Sequence, residues 1–491
     1  MFIEKLEDEL NVTETTNGAK AYKTTKNNII DLFAQLGAMR GRCFRDKIEL
    51  FKNAFYEDKE LAMKILFYYR DCREGQGERQ TFRDIYIWLT QNAQDIAIDN
   101  IKNIIEFGRW DDLIDIAYES HIYYYKQFAA EVLCRIENTI KHDVKGNDNI
   151  TLLGKWLPSI NASSKNTRDK AKWLCYNLEY TEREYRKICS ELRAKIRIVE
   201  NNLRTKEYDK IDYSKVPSLA IKKYREAFVR NDYEHYSKYL LDVMQGKEKI
   251  NTKTLFPYDI VREYLINGYN KNDTLELQWK NLPDYVQGKD ISSLTVCDVS
   301  GSMTDNRYLP LATAISLSVY IAERTTGAYE NKFITFSERP QLVNLKRNMS
   351  LYEKIQFMNQ QALGFNTNLY NVFKLVLDVA VKNNLKQEDL PKQIIVITDM
   401  NFDCCNDDKE DVLMEKINNM FNSKGYNLPT LVWWNVNAIN EVFPMKEGNG
   451  IKYVSGASPV ILKSVLNEEL LSPMDLIKNT VLTERYSEIK F

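Results

Sequence analysis

Histidine is scarce in this sequence, with three residues in a chain of 491. His121, His142 and His235 lie far apart, and their spacing matches neither a metal site nor a catalytic pair. We therefore expect core or surface roles for these side chains. A P-loop, a His-Glu-x-x-His pair and a Gly-x-Ser-x-Gly turn are also missing. These absences favour a protein that is not an enzyme.

Cysteine pairs with metal-ligand spacing are missing too. The eight cysteines include no Cys-x-x-Cys pair, and only Cys404 and Cys405 are adjacent. This pattern predicts reduced, buried thiols rather than a disulfide framework or a zinc ribbon. The first ten residues are too acidic for a signal peptide, and no apolar run reaches the length of a membrane span. We expect a cytoplasmic protein that does not bind membranes.

Excess charge of one sign is absent as well. The net charge is −1, so any binding of nucleic acid requires a local basic patch. The length allows two or three domains, and a hydrophobic fraction of 44% is ample for sizeable cores.

The first part of the chain has helical periodicity. Apolar residues recur at helical spacing from residue 27 to about residue 244, and short polar breaks separate the segments. Paired helices with short loops predict a bundle or an α-solenoid with degenerate repeats. Residues 245–290 lose this periodicity, and we interpret them as the connection to a second domain. The first domain is therefore predicted to span residues 1–290.

From residue 291 the pattern changes to strands that alternate with helices, which is typical of a doubly wound α/β sheet. The second domain is predicted to span residues 291–491, which gives an α + α/β fold class. The predicted strands are 293–299, 332–337, 393–399, 429–435 and 451–455. The predicted helices are 309–325, 350–361, 368–383, 409–423 and 458–470.

Two of the predicted strands end in oxygen ligands. An apolar strand leads into Asp-x-Ser-x-Ser on a glycine-containing turn, and strand 393–399 ends in a carboxylate. The carboxyl ends of parallel strands meet at one edge of a sheet. Carboxylate and hydroxyl oxygens suit a hard cation that keeps some water, so we predict Mg²⁺ (or Mn²⁺). The alternative is a strand–turn–helix with ordinary capping hydroxyls. The predicted ligands are Asp298, Ser300, Ser302, Asp399 and, from a polar loop between the strands, Thr367.

Three further acidic residues follow the second of these strands. Asp403, Asp407 and Asp408 either adjust the metal site or belong to a solvated loop.

Residues 151–230 form the most basic band of the chain, with 19 Lys and Arg against 10 Asp and Glu. A capping box at residues 181–184 predicts a helix to about Ile198. One side of this helix carries cations, including Arg197, and the other side is apolar. A cationic ribbon suits phosphates, with little readout of bases. The alternative is a solvated face whose arginines pair with Glu182 and Glu191. The candidate nucleic-acid contacts are Lys170, Lys172, Arg183, Arg186, Lys187 and Arg193.

Two tryptophans lie beside basic residues. Trp110, after Arg109, could stack a base or a guanidinium, but the two acidic residues that follow it favour the start of a helix. Trp156, after Lys155, is interpreted as a side chain packed where a helix ends.

The predicted ligand pattern resembles the von Willebrand factor A domain and its metal-ion-dependent adhesion site (MIDAS). That family has Asp-x-Ser-x-Ser, then Thr on a later loop, then Asp after a later strand, which correspond here to Asp298, Ser300, Ser302, Thr367 and Asp399. It often has glycine after the last Asp, where this chain has Met400. The resemblance implies a Rossmann-like fold and a Mg²⁺ ion that completes its coordination with a carboxylate of a partner protein.

The two-part layout resembles the Ro autoantigen type of protein. In that type a TROVE module, a ring of HEAT-like helical repeats, is closed by an A domain, and the resemblance implies binding of small or misfolded non-coding RNA. Several stretches also resemble an uncharacterised domain-of-unknown-function family with the same layout. These stretches are residues 16–19, 73–79, 108–113, 155–159 and 212–218.

The leading hypothesis is a non-enzymatic, Ro-like ribonucleoprotein scaffold that binds small non-coding RNA on the basic helical face and has a Mg²⁺-dependent protein-binding A domain. The alternative is a Mg²⁺-dependent protein-interaction module without a role in RNA binding. A metal-dependent hydrolase is least favoured, because no general base or activated nucleophile is evident beside Asp298.

Overall fold

The computed structural model describes residues 2–122, 126–146, 149–196, 198–252, 254–268, 270–286, 292–336, 340–361, 368–403, 412–438, 442–446, 448, 450–466 and 472–491. Contacts divide the chain into two compact units, and each unit is drawn from separate segments. The sheet unit contains residues 1–65, 74–76 and 255–484, and the helical unit contains residues 66–73, 77–254 and 485–491. The division into domains 1–290 and 291–491 stays a prediction.

The strands form a hairpin and a six-stranded mixed sheet in the sheet unit. The hairpin consists of β1 (Val12–Glu14) and β2 (Lys20–Tyr22). The sheet consists of β3 (Ser293–Asp298), β4 (Lys332–Phe336), β5 (Gln341–Asn344), β6 (Gln393–Thr398), β7 (Thr430–Asn435) and β8 (Ile451–Ser455). The strand order is β5-β4-β3-β6-β7-β8, and only β5 runs antiparallel to its neighbour. The five predicted strands are confirmed, whereas β5 and the hairpin were not predicted.

The chain enters this sheet at its middle. It runs from β3 to one edge, returns to β6 beside β3, and continues to the other edge. The strand order therefore reverses between β3 and β6, which is where open α/β sheets bind their ligands. Both strands are buried along their whole length, as their apolar, β-branched sequences predict. Because Cys297 pairs with Ile397, the next residues, Asp298 and Thr398, lie side by side.

Helices make up most of the remaining described chain. In chain order they are α1 (Phe2–Asn11), α2 (Asn28–Gln35), α3 (Phe44–Glu57), α4 (Lys59–Arg70), α5 (Gln80–Asn92), α6 (Gln94–Asp99), α7 (Ile101–Phe107), α8 (Trp110–Ile122), α9 (Lys126–Lys145), α10 (Leu153–Trp156), α11 (Lys165–Asn177), α12 (Glu182–Ile196), α13 (Val199–Thr205), α14 (Ser218–Asn231), α15 (Tyr233–Met244), α16 (Pro257–Ile266), α17 (Asp273–Lys280), α18 (Asp305–Arg324), α19 (Leu351–Gln361), α20 (Leu369–Lys382), α21 (Leu413–Ser423), α22 (Leu462–Val465) and α23 (Pro473–Val481). Among the described residues, no helix is both long and apolar enough to cross a membrane.

Some predicted boundaries differ from the structure. The stretch predicted as a connection, 245–290, contains the helices α16 and α17, and both begin at recognisable signals: Pro257 at the first position of α16 and the Asn272 side chain as the cap of α17. The helix predicted at 458–470 is confirmed only in part, since residues 467–470 lie outside the described residues. Its described part forms a 3₁₀ turn and the short helix α22, and the next helix begins after the capping residue Ser472.

The N-terminal residues belong to the core of the sheet unit. The Ser455 hydroxyl at the end of β8 donates to the Phe33 carbonyl in α2 (2.8 Å) and accepts from the Gly37 N–H (3.0 Å). The Ala438 N–H donates to the Ala38 carbonyl at 3.0 Å. Backbone bonds and buried contacts of this kind join residues 28–38 to the strands at one side of the sheet.

A buried carboxylate organises the helical unit. Asp112 at the start of α8 is fully buried and accepts hydrogen bonds from Arg70 (2.9 and 2.5 Å), Arg83 (2.8 Å) and the Arg109 backbone N–H (2.9 Å). The chain's last segment joins this unit through the neighbouring Asp71, which accepts from Arg485 (2.9 Å). The start of α8 at Trp110 confirms the helix start that the sequence favoured, and Trp110 itself is buried.

Replacing Asp112 tests the importance of this network. We expect Asp112→Ala to lower the free energy of unfolding of the helical unit by about 3–5 kcal/mol, because the buried Arg70 guanidinium loses its carboxylate and Arg83 loses one of its three. Hydrogen exchange of the amides in α5 and α8 would measure the change within this unit. Glu137→Ala, which breaks the exposed pair with Lys141, is the control and should leave exchange unchanged. Equal exchange in wild type and Asp112→Ala would contradict the role of this carboxylate.

Candidate metal centre and basic surface

The first predicted ligand is held by its neighbours on two strands. Asp298 is the last residue of β3 and is fully buried. One carboxylate oxygen accepts the Ser300 backbone N–H (2.9 Å), and the other accepts the Thr398 hydroxyl (2.6 Å). Burial raises the pKa of Asp298, while these bonds from Thr398 and Ser300 act to lower it. The Ser300 hydroxyl lies 3.2 Å from that of Ser302, so both hydroxyls belong to the same turn.

The second carboxylate has an unsatisfied oxygen. Asp399 follows β6 and is fully buried. Its Oδ1 accepts the Asn401 backbone N–H (3.1 Å), but its buried Oδ2 has no hydrogen-bond partner within 3.5 Å among the described residues. The Ser302 hydroxyl is near enough to this carboxylate to act to lower its pKa. Burial, together with the neighbouring charge of Asp298, raises the pKa of Asp399 to about 7. A buried carboxylate oxygen of this kind needs a proton or a cation.

This set of donors fits the predicted Mg²⁺ or Mn²⁺. Asp298 and Asp399 provide carboxylates from adjacent strand ends, Ser300 and Ser302 provide hydroxyls, and oxygen donors of this type suit hard cations. Among the described residues, no group of three or more His, Cys, Asp or Glu is arranged to hold a metal, so a zinc-type cluster is not seen there. Thr367 lies outside the described residues, and its role stays a prediction.

The loop after Asp399 has an uncommon backbone conformation. Met400 has a φ of 62°, in the left-handed region that favours glycine. Its N–H is bonded to the Thr398 hydroxyl (3.2 Å), the same hydroxyl that donates to Asp298. This chain therefore adopts a glycine-type turn with methionine, and the departure of Met400 from the expected glycine does not remove the turn.

The turn of the β1–β2 hairpin is hydrogen-bonded to the loop that follows Asp399. The sequence did not predict this contact. The Thr15 hydroxyl donates to the Phe402 carbonyl (2.7 Å). The Asn17 backbone N–H donates to the Asn401 side chain (3.2 Å), and the Asn17 amide donates to Asp403 (2.9 Å). Residues 16–19 are one of the stretches that resemble the uncharacterised family. No local pattern in the sequence indicated that they contact a strand end almost four hundred residues away.

Asp403 is held in place at the edge of the candidate metal centre. It accepts from Asn17 and forms an antiparallel bridge with Gly18, and its charge contributes to the raised pKa of Asp298. Whether Asp403 adjusts the metal site or belongs to a solvated loop stays a prediction. Asp407 and Asp408 lie outside the described residues.

The predicted amphipathic helix is present in the helical unit as α12. Its capping box is formed, with the Glu184 carboxylate accepting from the Thr181 N–H (2.9 Å) and the Thr181 hydroxyl accepting from the Glu184 N–H (3.3 Å). Its apolar side, including Tyr185 and Cys189, is buried. The exposed cations on the other side are Arg183, Arg186 and Lys187. Arg197 lies outside the described residues.

Three of the predicted nucleic-acid contacts bond within the protein. Among the described residues, the exposed Arg186 uses only its Nε, which donates to the Glu182 carbonyl (3.3 Å). Arg193 donates to the carbonyls of Gly154 (3.1 Å) and Leu157 (2.6 Å), and so satisfies carbonyl groups at the end of α10. Lys170 forms an ion pair with Asp115 at 2.6 Å. Lys172 is exposed on α11. A helical wheel gives the direction of a side chain but not the acceptor that lies opposite, which is why the sequence grouped these residues together.

The cysteines are only partly buried. The six described cysteines are unpaired, and Cys175, Cys189 and Cys297 are buried, but Cys43 and Cys134 are exposed. Cys404 and Cys405 lie outside the described residues.

Asp399→Asn tests the metal centre. We expect this variant to lose the rise in melting temperature that Mg²⁺ or Mn²⁺ gives to the wild type, because the ion loses a carboxylate ligand. In EDTA the variant should melt at the same temperature as the wild type or higher, because one of two buried like charges is gone. Scanning fluorimetry with each ion and with EDTA measures both effects.

Asp378→Asn, an exposed change on α20, is the control and should keep the response of the wild type. A full metal-dependent rise in Asp399→Asn would contradict the assignment of this carboxylate as a ligand.

The comparisons with known sequences give a family without an assigned function. Residues 15–139 and 125–290 match the family described as Domain of unknown function (DUF2828), and residues 292–488 match Domain of unknown function (DUF7788). The chain is 31% identical over 506 residues to Uncharacterized protein L728 of Acanthamoeba polyphaga mimivirus, with 95% of this chain and 86% of the relative covered. The expected resemblance to an uncharacterised family is thus confirmed: residues 292–488 are similar to DUF7788, and the chain belongs to the DUF2828 family.

Proposed function

We propose that the protein is a non-enzymatic scaffold whose sheet unit uses a bound Mg²⁺ or Mn²⁺ ion to hold an acidic residue of a partner protein. The observation that carries this proposal is the buried Oδ2 of Asp399, which has no hydrogen-bond partner in the described part of the chain and lies beside the buried carboxylate of Asp298. We assign the sheet to the von Willebrand factor A type. The reversal of strand order between β3 and β6 supports this assignment, because the carboxylates lie at that point.

The proposed ligands suit the binding of one more carboxylate. Asp298 and Asp399 balance the charge of a divalent ion, and the remaining donors, Ser300 and Ser302, are neutral hydroxyls. Neutral donors leave the ion more attractive to a carboxylate than further acidic ligands would. When bound, the ion offers a coordination position to the partner. The chain's own contribution is to hold the ligands in place through Thr398 and the Ser300 N–H.

A second function, RNA binding by the helical unit, is favoured by a separate observation. Arg183, Arg186 and Lys187 are exposed on α12, while the opposite side of the helix is buried. This arrangement leaves three cations available to phosphates on one well-anchored helix. The affinity would come mainly from counterion release, and it would therefore fall steeply with salt. A protein with both functions would join an RNA to a protein partner, as in a Ro-like scaffold.

Peptide selection tests the metal-dependent function. We expect a displayed random peptide library, selected on the full chain in Mg²⁺ and eluted with EDTA, to be enriched in peptides that contain Asp or Glu, because a carboxylate binds a hard divalent cation more strongly than neutral oxygen groups do. Counter-selection on Asp399→Asn should remove these peptides. Sequencing before and after selection measures the enrichment. Peptides without an acidic residue, or peptides that EDTA does not release, would contradict the proposal.

Charge reversal on α12 tests the RNA-binding function. We expect Arg186→Glu with Lys187→Glu to remove most of the RNA that co-purifies with the wild type at moderate salt, because phosphates would then face carboxylates. Sequencing and quantification of the bound RNA measure the loss. Lys374→Glu with Lys382→Glu, two exposed changes on α20, makes the same change in net charge and should keep the RNA. Equal retention by both double variants would contradict the role of α12.

A further inference from the structure

Three of the stretches that resemble the uncharacterised family, 73–79, 108–113 and 155–159, contribute residues that lie near one another in the helical unit. Arg79 precedes α5, Arg109 precedes α8, and Lys155 and Trp156 end α10. The Arg109 guanidinium carbon lies 5.0 Å from the centre of the Trp156 ring, and the Lys155 amine lies 5.7 Å from the same ring. A guanidinium on an indole face is held in orientation by cation–π attraction.

The Arg109 guanidinium is available to a ligand. Only its backbone N–H is used, by Asp112, and its side chain forms no ion pair or hydrogen bond among the described residues. Arg83 differs, because its guanidinium is bonded to Asp111, Asp112 and Asp115. Asp111, Asp112 and Asp115 are bonded to Arg70, Arg79, Arg83 and Lys170, although the buried Asp111 Oδ1 has no hydrogen-bond partner among the described residues. Within that part of the chain Arg109 retains all five of its donors.

Arg79 adds a second, partly exposed cation. Its side chain is 50% exposed, and its contact with Asp111 is long, at 3.3 Å. Burial and the positive charge of Arg83 lower the pKa of Arg79, Asp111 and Asp112 act to raise it, and Arg109 adds a further lowering, so the pKa is lowered on balance. Like charges near one another favour an anion between them, because the anion relieves their repulsion.

The segment that carries Trp156 is firmly anchored on α12. Arg193 of α12 donates to the carbonyls of Gly154 and Leu157, and the Tyr185 hydroxyl donates to the Pro158 carbonyl (3.0 Å). A Cβ atom on Gly154 would lie 2.5 Å from the Leu192 Cβ, so only glycine allows this close approach. The indole is thus presented by backbone that has little freedom to move.

We propose that Arg79, Arg109, Lys155 and Trp156 form a binding site for single-stranded RNA, in which Arg109 contacts a phosphate. This inference rests on the proposed RNA-binding function and adds a second contact region to α12. Arg79, Arg109 and Lys155 lie on different elements, and a strand can offer a separate phosphate to each of them because it carries several phosphates in succession. The stack of guanidinium on indole also provides a planar surface for an unpaired base.

Binding of a labelled oligouridylate of about 20 nucleotides to the full chain tests this site, because that length exceeds the span of a typical single-strand site. We expect Arg109→Gln to weaken binding about tenfold and to reduce the slope of log K against log salt by about one, since one phosphate contact is lost. Trp156→Leu should also weaken binding, and Trp156→Phe should retain more of it. Fluorescence anisotropy at several salt concentrations measures all variants.

Arg135→Gln, an exposed arginine on α9 in the same unit, makes the same change in charge and should bind as the wild type does. If Arg109→Gln binds normally while the Arg186 and Lys187 double reversal does not, this site is wrong and RNA binding by α12 stands. If the wild type binds no oligonucleotide, the RNA-binding function and this site both fail. If millimolar inorganic phosphate displaces the RNA completely, the site takes a small anion instead.

Discussion

Two buried carboxylates on adjacent strands are the constraint on which the sheet unit depends. Burying one carboxylate costs several kcal/mol, and a second one nearby adds repulsion. The protein offsets part of this cost for Asp298, whose two oxygens are bonded to a hydroxyl and a backbone N–H. It leaves one oxygen of Asp399 without a partner among the described residues. The arrangement is costly for the protein alone and becomes favourable with a cation.

The helical unit solves the same problem differently. Asp112 is as deeply buried as Asp399, but two arginines and a backbone N–H satisfy it. Its charge is balanced from within the chain, so it has a structural role. This contrast supports different roles for the two buried aspartates. Asp112 is paired with arginines of the chain and holds helices together. Asp399 has no such cation among the described residues, so its carboxylate is available to a metal ion.

The same distinction applies to the arginines. Arg70, Arg83 and Arg193 are used by acceptors of the protein, whereas the one contact of the Arg109 guanidinium seen among the described residues is with an aromatic face. Stacking fixes the plane of a guanidinium without using its N–H donors, so the group is oriented and still able to bind. Counting basic residues along the sequence does not separate these cases, because pairing depends on which acceptors the fold brings near.

The sequence predicted the parts of the fold that have a local pattern. The buried strands β3 and β6 are visible as β-branched apolar runs, and the proximity of Asp298 and Asp399 follows from the geometry of parallel strands. The hydrogen bonds of Thr15 and Asn17 to the loop after β6 were not predictable, because a hydrogen bond between distant segments produces no periodic pattern in the sequence. The strand β5 was missed for a different reason, since only one of its four residues is buried.

The hydrogen bond between the hairpin and the loop after β6 affects the order in which the chain can fold during synthesis. Thr15 and the Phe402 carbonyl that it binds are separated by 387 positions. At about 5–20 residues per second, a ribosome needs roughly 20–80 seconds to add that length. During this time the hairpin has already left the ribosome, but the loop to which it will bond has not yet been synthesised. The order of translation therefore makes completion of the candidate metal centre a late event, and chaperones have the longest access to the segment made first.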